Sequence, residues 1–178
     1  GSWNELNRLQ KLMPDRMTVV RLMRNFGQHN ALMCGFRESS GSIVVTMDDD
    51  LQHPPEEVPK LIESLDNDPD LDLVYGRYDQ KKHAKWRNLG SDLIQLFYRR
   101  VFSLTNGVTA FRAIRRHLVN CVIGYQLNYV FLDGLFACNT RKIAEVKVAH
   151  HSRTQGVTNY SLRKLVLLSI NLFPNFSL

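Results

Sequence analysis

The chain has 178 residues, 44% of them hydrophobic and 22% charged, with a formal net charge of +6 and a sequence pI near 9.4. That is chain enough for one globular domain with a real core. Its three cysteines, Cys34, Cys121 and Cys138, are widely spaced and lack CxxC pairing, which excludes a disulfide framework and reads as buried, reduced thiols of a cytosolic-facing protein. The cation excess implies an anionic partner, whether nucleotide, phosphate, anionic lipid headgroup or nucleic acid.

In chain order, helical and strand patterns alternate, as in a largely parallel sheet covered by helices. Residues 3–12 carry Trp3, Leu6, Leu9 and Leu12 at helical spacing. Residues 17–22 form a short apolar run that predicts a strand, and 28–38 predict a helix ending at Ser39-Ser40-Gly41. A strand is predicted over 42–47, a helix over 56–65 with Val58, Leu61, Ile62 and Leu65 inward, and a strand over 71–75. Residues 79–87 are polar and basic. Helices follow over 89–102 and 114–123, and 142–149 alternate as a strand does. Residues 162–178 are first basic, then strongly apolar. This pattern fits either an amphipathic segment approaching a membrane or a helix packed on its own domain. No apolar run reaches the roughly 18 to 20 residues of a membrane-spanning helix.

The stretch Thr46-Met47-Asp48-Asp49-Asp50-Leu51-Gln52-His53-Pro54-Pro55-Glu56-Glu57 carries the most chemistry. Carboxylates crowded at the end of a buried strand repel one another and resist desolvation unless a cation lies among them. Oxygen ligands suit a hard divalent ion, Mg²⁺ or Mn²⁺, completed by substrate phosphates. The C-terminal ends of strands are also where open α/β sheets bind ligands. If the strand continued, Asp48 and Asp50 would share a side and Asp49 would turn away. The same residues also fit an acidic turn that caps the next helix.

Four motifs, in order, resemble the family 2 glycosyltransferases of GT-A fold that move a sugar from a nucleotide onto polyprenyl phosphate, the dolichyl-phosphate-mannose synthase and bactoprenol glucosyltransferase group. They are Arg24-Asn25-Phe26-Gly27-Gln28-His29-Asn30-Ala31 with Gly35 beyond it; Met47 to Glu57, similar to the D-x-D-L-Q-x-P-P-E pattern; Thr109-Ala110-Phe111-Arg112-Ala113; and Arg153-Thr154-Gln155-Gly156-Val157-Thr158-Asn159-Tyr160-Ser161-Leu162. The resemblance implies an α/β fold, a Rossmann-like three-layer sandwich with a mostly parallel sheet that lacks its first strand. It divides the chain into a partial GT-A domain over 1–160 and a juxtamembrane segment over 161–178.

By resemblance, Asp48 and Asp50 form the D-x-D pair that binds Mg²⁺ or Mn²⁺, with Asp50 the direct ligand and Gln52 in support. Arg24 and Asn25 lie in the donor-side loop. Arg112 and Arg153 hold the acceptor phosphate or the donor diphosphate, for which the guanidinium fork is suited. The partners implied are a nucleotide-diphosphate sugar (a UDP-sugar foremost), a polyprenyl phosphate and the cytoplasmic face of a membrane. There the run Lys81-Lys82-His83-Ala84-Lys85-Trp86-Arg87 would meet anionic headgroups, although it also reads as a solvated charged loop. The reaction implied is a single inverting displacement. Asn106 stands where many members carry an Asp, and the family's opening strand and acidic turn have no counterpart. The sheet edge left by that strand offers pairing to a second chain. A GT-A transferase with a saccharide or protein acceptor is the alternative. A nucleic-acid module is disfavoured, because Lys and Arg are not interleaved with aromatics on one surface.

Overall fold

The structure, a computed structural model, describes residues 1–78, 108–126 and 130–149. The expected basic segment at 79–87, the helix at 89–102, Asn106, Arg153 and the segment 161–178 lie outside the described residues. The chain divides into two compact units, Gly1–Ser40 and Gly41–Leu178.

The first unit contains helix α1 (Ser2–Leu12) and helix α2 (Gln28–Glu38). The apolar face of α1 is covered only in part, since Leu6 and Leu12 are exposed. Trp3 lies beneath the guanidinium of Arg21, 5.3 Å from its ring centre. The strand expected over residues 17–22 does not form. A strand needs a neighbour to take its N–H and C=O groups, and among the described residues none pairs with this run. Helix α2 is entered through Gly27, whose φ of 84° suits a residue without Cβ. The side chain of Asn25 closes that turn by accepting the Gly27 N–H at 2.9 Å.

The second unit is built on four strands: β1 (Ile43–Thr46), β2 (Leu73–Arg77), β3 (Arg112–Arg115) and β4 (Ile143–Lys147). Their order across the sheet is β1-β3-β2-β4. β3 is antiparallel to both its neighbours, while β4 runs parallel to β2. Three strands therefore share one direction, and the sheet is mixed by virtue of the reversed β3. The helix expected over 114–123 begins only at Arg116, as helix α4 (Arg116–Ile123); Ile114 and Arg115 belong to β3, whose run Arg112-Ala113-Ile114-Arg115 carries two arginines and passes straight into that helix.

The pleat sends alternate residues to opposite faces. On one face Val74, Ala113 and Phe111 join Leu61 and Leu65 of helix α3 (Val58–Asn67) and Val148 in a buried cluster. Leu61 and Leu65 are the buried half of the inward stripe predicted for α3; Val58 packs against the cluster half-buried, and Ile62 is half-buried too. On the other face Tyr75 and Arg112, directly paired across β2 and β3, reach Asp133 of helix α5 (Leu132–Asn139). Helix α5 escaped the sequence reading because it is apolar nearly all round, with Leu132, Gly134, Leu135, Phe136 and Ala137 buried, so no amphipathic period marks it. The cysteines are free, but Cys121 and Cys138 are exposed and Cys34 half-buried, which corrects the expectation of buried thiols.

Candidate functional site

Strand β1 ends at Thr46, whose buried hydroxyl donates to the carbonyl of Ala110 at 2.5 Å. This bond ties the start of the acidic run to the residues leading into β3. Beyond it the chain bends, so the side of each aspartate is set by the turn and not by a continuing pleat. Asp48 and Asp50 are half-buried and Asp49 is exposed. The carboxylate of Asp50 accepts the backbone N–H of Gln52 at 3.1 Å, an Asx-type turn. Between them Leu51 sits at φ 62°, a left-handed conformation that costs a leucine on the order of 1 kcal/mol. Its side chain is 74% exposed, so burial of the leucine does not offset that strain.

Tyr78, one residue past β2, reports where the two carboxylates lie. Partial burial pushes its phenol up from the ordinary 10.0, and the charges of Asp48 and then Asp50 add to the shift. Both carboxylates therefore act on one hydroxyl at the C-terminal edge of β1 and β2.

The acidic turn is braced from behind. His53, 6% exposed, stacks on Phe111 with ring centres 5.0 Å apart and planes 13° from parallel, and it lies 6.3 Å from the ring of Tyr78. Phe111 in turn covers Gly76 so closely that a Cβ there would fall 2.6 Å from the Phe111 ring. Pro54 and Pro55 carry the chain into a short 3-10 turn, Pro55–Glu57. Glu57 is buried and accepts Lys60 Nζ at 2.5 and 2.7 Å and the Ala149 N–H at 3.0 Å. Those partners, Lys60 foremost, lower its pKa from the ordinary 4.5.

Arg112 departs from its expected place at a phosphate. It is 2% exposed, pairs with Asp133 and lies 5.1 Å from the centre of the Phe136 ring. Tyr75 donates its hydroxyl to the same carboxylate at 2.7 Å. A guanidinium held in this way, on the face of the sheet opposite Phe111, reaches no soluble phosphate unless the network opens. Along β3, Arg112 stands beside Thr46, its register partner. Arg24 and Asn25 belong to the first unit, where Arg24 covers the ring of Phe26 at 4.7 Å.

The sequence reading passed over Tyr75, Tyr78 and Asp133, and gave Phe111 no role beyond its place in the third motif. Asp133 had a signal, since a lone carboxylate in the apolar run Val130-Phe131-Leu132-Asp133-Gly134-Leu135-Phe136 is too costly to bury without a partner.

Among the described residues no group of three or more His, Cys, Asp or Glu side chains forms a closed metal cage. Two half-buried carboxylates on one bend instead fit an open site for a hard cation that takes its remaining oxygens from a ligand. No helix among the described residues is long and apolar enough to cross a membrane.

An α/β sheet with one reversed strand and an acidic turn at its C-terminal edge places the protein among the GT-A glycosyltransferase folds. Solved structures agree on that fold. Glucosyl-3-phosphoglycerate synthase from Mycobacterium tuberculosis, in complex with Mn²⁺ and UDP-glucose, superposes with a TM-score of 0.59 over 95% of this chain and 59% of its own, at 19% identity. The same enzyme with phosphoglyceric acid gives a TM-score of 0.60 at 18% identity, over 95% of this chain and 60% of its own. The family described as Glycosyl transferase family 2 matches residues 1–123, and the chain belongs to it. Two relatives are undecaprenyl-phosphate 4-deoxy-4-formamido-L-arabinose transferases. That of Sodalis glossinidius is 37% identical over 159 residues, which are 88% of this chain and 48% of the relative. That of Pectobacterium atrosepticum is 36% identical over 156 residues, 86% of this chain and 47% of the relative. The chain thus spans about half the length of these relatives.

Proposed function

We propose that the protein is an inverting glycosyltransferase that moves a sugar from a nucleoside-diphosphate donor, a UDP-sugar foremost, to a polyprenyl phosphate. The observation that carries this reading is the acidic bend after β1, where Asp48 and Asp50 are half-buried, Asp49 is exposed and Asp50 accepts the Gln52 N–H. Two half-buried carboxylates at a strand end are chemically suited to Mg²⁺ or Mn²⁺. When bound, that ion would neutralise charge on the donor's two phosphates and on the departing diphosphate. The relatives named for transfer to undecaprenyl phosphate support the acceptor class.

The rest of the chemistry needs little machinery. A phosphate monoester is largely ionised at neutral pH, so its oxygen attacks without a strong general base. A bond forms from that oxygen to the anomeric carbon. The bond from that carbon to the diphosphate oxygen breaks, and the nucleoside diphosphate leaves with the electron pair. Alignment of the two substrates supplies most of the rate. On this reading Asp50 holds the cation with Asp48, and Gln52 fixes the Asp50 carboxylate through its backbone N–H. Arg24, Asn25 and Arg153 stay assigned to the substrate phosphates by family likeness, and the membrane surface at its cytoplasmic face remains the place of action.

Calorimetric titration with UDP and Mn²⁺, on the native chain and on Asp50→Ala, tests the reading. Metal-dependent binding that disappears in the variant is expected. Binding that survives unchanged in Asp50→Ala removes the metal assignment.

A further inference from the structure

Residues 47–52, which carry the aspartates, are exposed or half-buried throughout, yet a buried polar side chain bounds them on either side, Thr46 before and His53 after. A hydroxyl and an imidazole beside a solvated turn lose hydration on burial, so each needs something in return. Thr46 donates its hydroxyl to the carbonyl of Ala110, and His53 stacks on Phe111 with ring centres 5.0 Å apart. The two contacts fall on consecutive residues. The acidic loop therefore begins and ends on one dipeptide, and the second sequence motif is closed on the third.

That dipeptide is itself held. Phe111 is fully buried, and its carbonyl accepts the Gly76 N–H at 2.8 Å and the Thr109 hydroxyl at 3.0 Å. Its ring lies so close to Gly76 that no Cβ fits there. Inside the loop, Leu51 keeps a left-handed φ of 62° with its side chain in solvent. Such a conformation persists when its surroundings over-determine it, and the clamps at the two ends do so here. Gln52, whose N–H orients the Asp50 carboxylate, is the residue next to His53. His53 is not a third ligand beside Asp48 and Asp50, because among the described residues no three His, Cys, Asp or Glu side chains are grouped to hold a metal. What it gives Phe111 is the flat face of its ring, 13° from parallel.

We infer that His53 is a positioning residue for the cation: its stack on Phe111 closes the acidic loop and so sets the separation of Asp48 and Asp50. The inference rests on the proposed function and deepens it, since it says what makes the loop selective among cations. A loop clamped at both ends offers its carboxylates at one spacing. Mg²⁺ demands near-ideal octahedral geometry, whereas Ca²⁺ accepts longer and more varied coordination. Opening one clamp therefore harms Mg²⁺ binding more than Ca²⁺ binding.

The test titrates the whole chain with UDP by calorimetry, once in Mg²⁺ and once in Ca²⁺. His53→Ala should weaken UDP binding in Mg²⁺ on the order of tenfold, the lower end of what a lost support behind a metal ligand costs, and weaken binding in Ca²⁺ clearly less. His53→Phe keeps a flat ring without its nitrogens and should restore the native preference for Mg²⁺. His53→Gln keeps polarity without a ring and should not. Phe111→Leu removes the platform from the other side and should reproduce His53→Ala. Val122→Ala, which opens the buried face of α4, lowers stability away from the clamp and should leave both affinities native. The inference is overturned if His53→Ala leaves both affinities unchanged or lowers them equally, or if His53→Gln rescues as well as His53→Phe. Failure of the functional reading shows in the native chain instead: UDP binding that needs no cation, or that ignores Asp50→Ala, removes the cation site and this inference with it.

Discussion

Arg112 is expected at a phosphate yet lies buried against Asp133, and a phosphate role and a supporting role make opposite predictions for Arg112→Met. The side chains of Arg112 and Asp133 are 2% and 7% exposed, and the carboxylate is shared with the Tyr75 hydroxyl. Replacing the arginine leaves a buried carboxylate with one neutral donor, a change that typically costs about 3–5 kcal/mol. Against a total stability of about 5–15 kcal/mol for an ordinary domain, that is a large fraction. The melting temperature of a chain this size should fall by roughly 6–20 °C. The paired change Arg112→Met with Asp133→Leu removes both charges and fills similar volume, so most of the loss should return. Urea unfolding followed by circular dichroism measures each member of the cycle. The supporting role further requires that the folded double variant keep metal-dependent UDP binding. A single substitution costing less than about 1 kcal/mol would refute the buried network, the scale of an exposed pair. A stable double variant that no longer binds UDP would return Arg112 to the phosphate.

Two further outcomes follow from the same packing. Burial, with the charge of Asp133 behind it, holds the Tyr75 phenol well above the ordinary 10.0. The unfolded chain therefore loses that proton first, binds fewer protons than the native state above about pH 10, and stability falls as pH rises there; Tyr75→Phe should flatten this alkaline loss in urea midpoints taken from pH 8 to 11, and an unchanged slope would exclude Tyr75 as its source. Gly76→Ala places a methyl 2.6 Å from the Phe111 ring and 3.2 Å from Val148; in a packed core that should cost about 1–3 kcal/mol and loosen the His53 stack, and a variant as stable as the native chain would show that Phe111 has room to move.

What could be read from the sequence follows from what local patterns encode. Helix α3 and strands β1, β2 and β4 were legible because apolar residues recur at a period that matches their burial. The acidic turn was legible because three adjacent aspartates at a strand end are electrostatically costly without a purpose. Strand β3 was not, since its side chains alternate between a buried arginine and alanine, an isoleucine and a second arginine. Its strand character comes from pairing with β1 and β2 on both sides. The run over 17–22 fails for the converse reason: its composition is strand-like, but no described neighbour supplies a ladder.

The candidate site divides in the same way. Its candidate ligands are contiguous in sequence and so were legible as a motif, whereas its supports come from residues far apart and were not. Thr46 is tied to Ala110, His53 to Phe111, and Glu57 to Ala149. Each link joins the acidic motif to the entry of β3 or the exit of β4. None would be cheap to keep for stability alone, because each places a polar or titratable group under cover next to a strand end. A helix-capping turn would need only its local Asp and Pro residues. The three long-range ties are instead what an open metal site needs, since two carboxylates on a bend must hold their separation with no third ligand among the described residues to fix it. Those supports argue for a ligand-binding turn over the capping turn that the bare sequence also allowed.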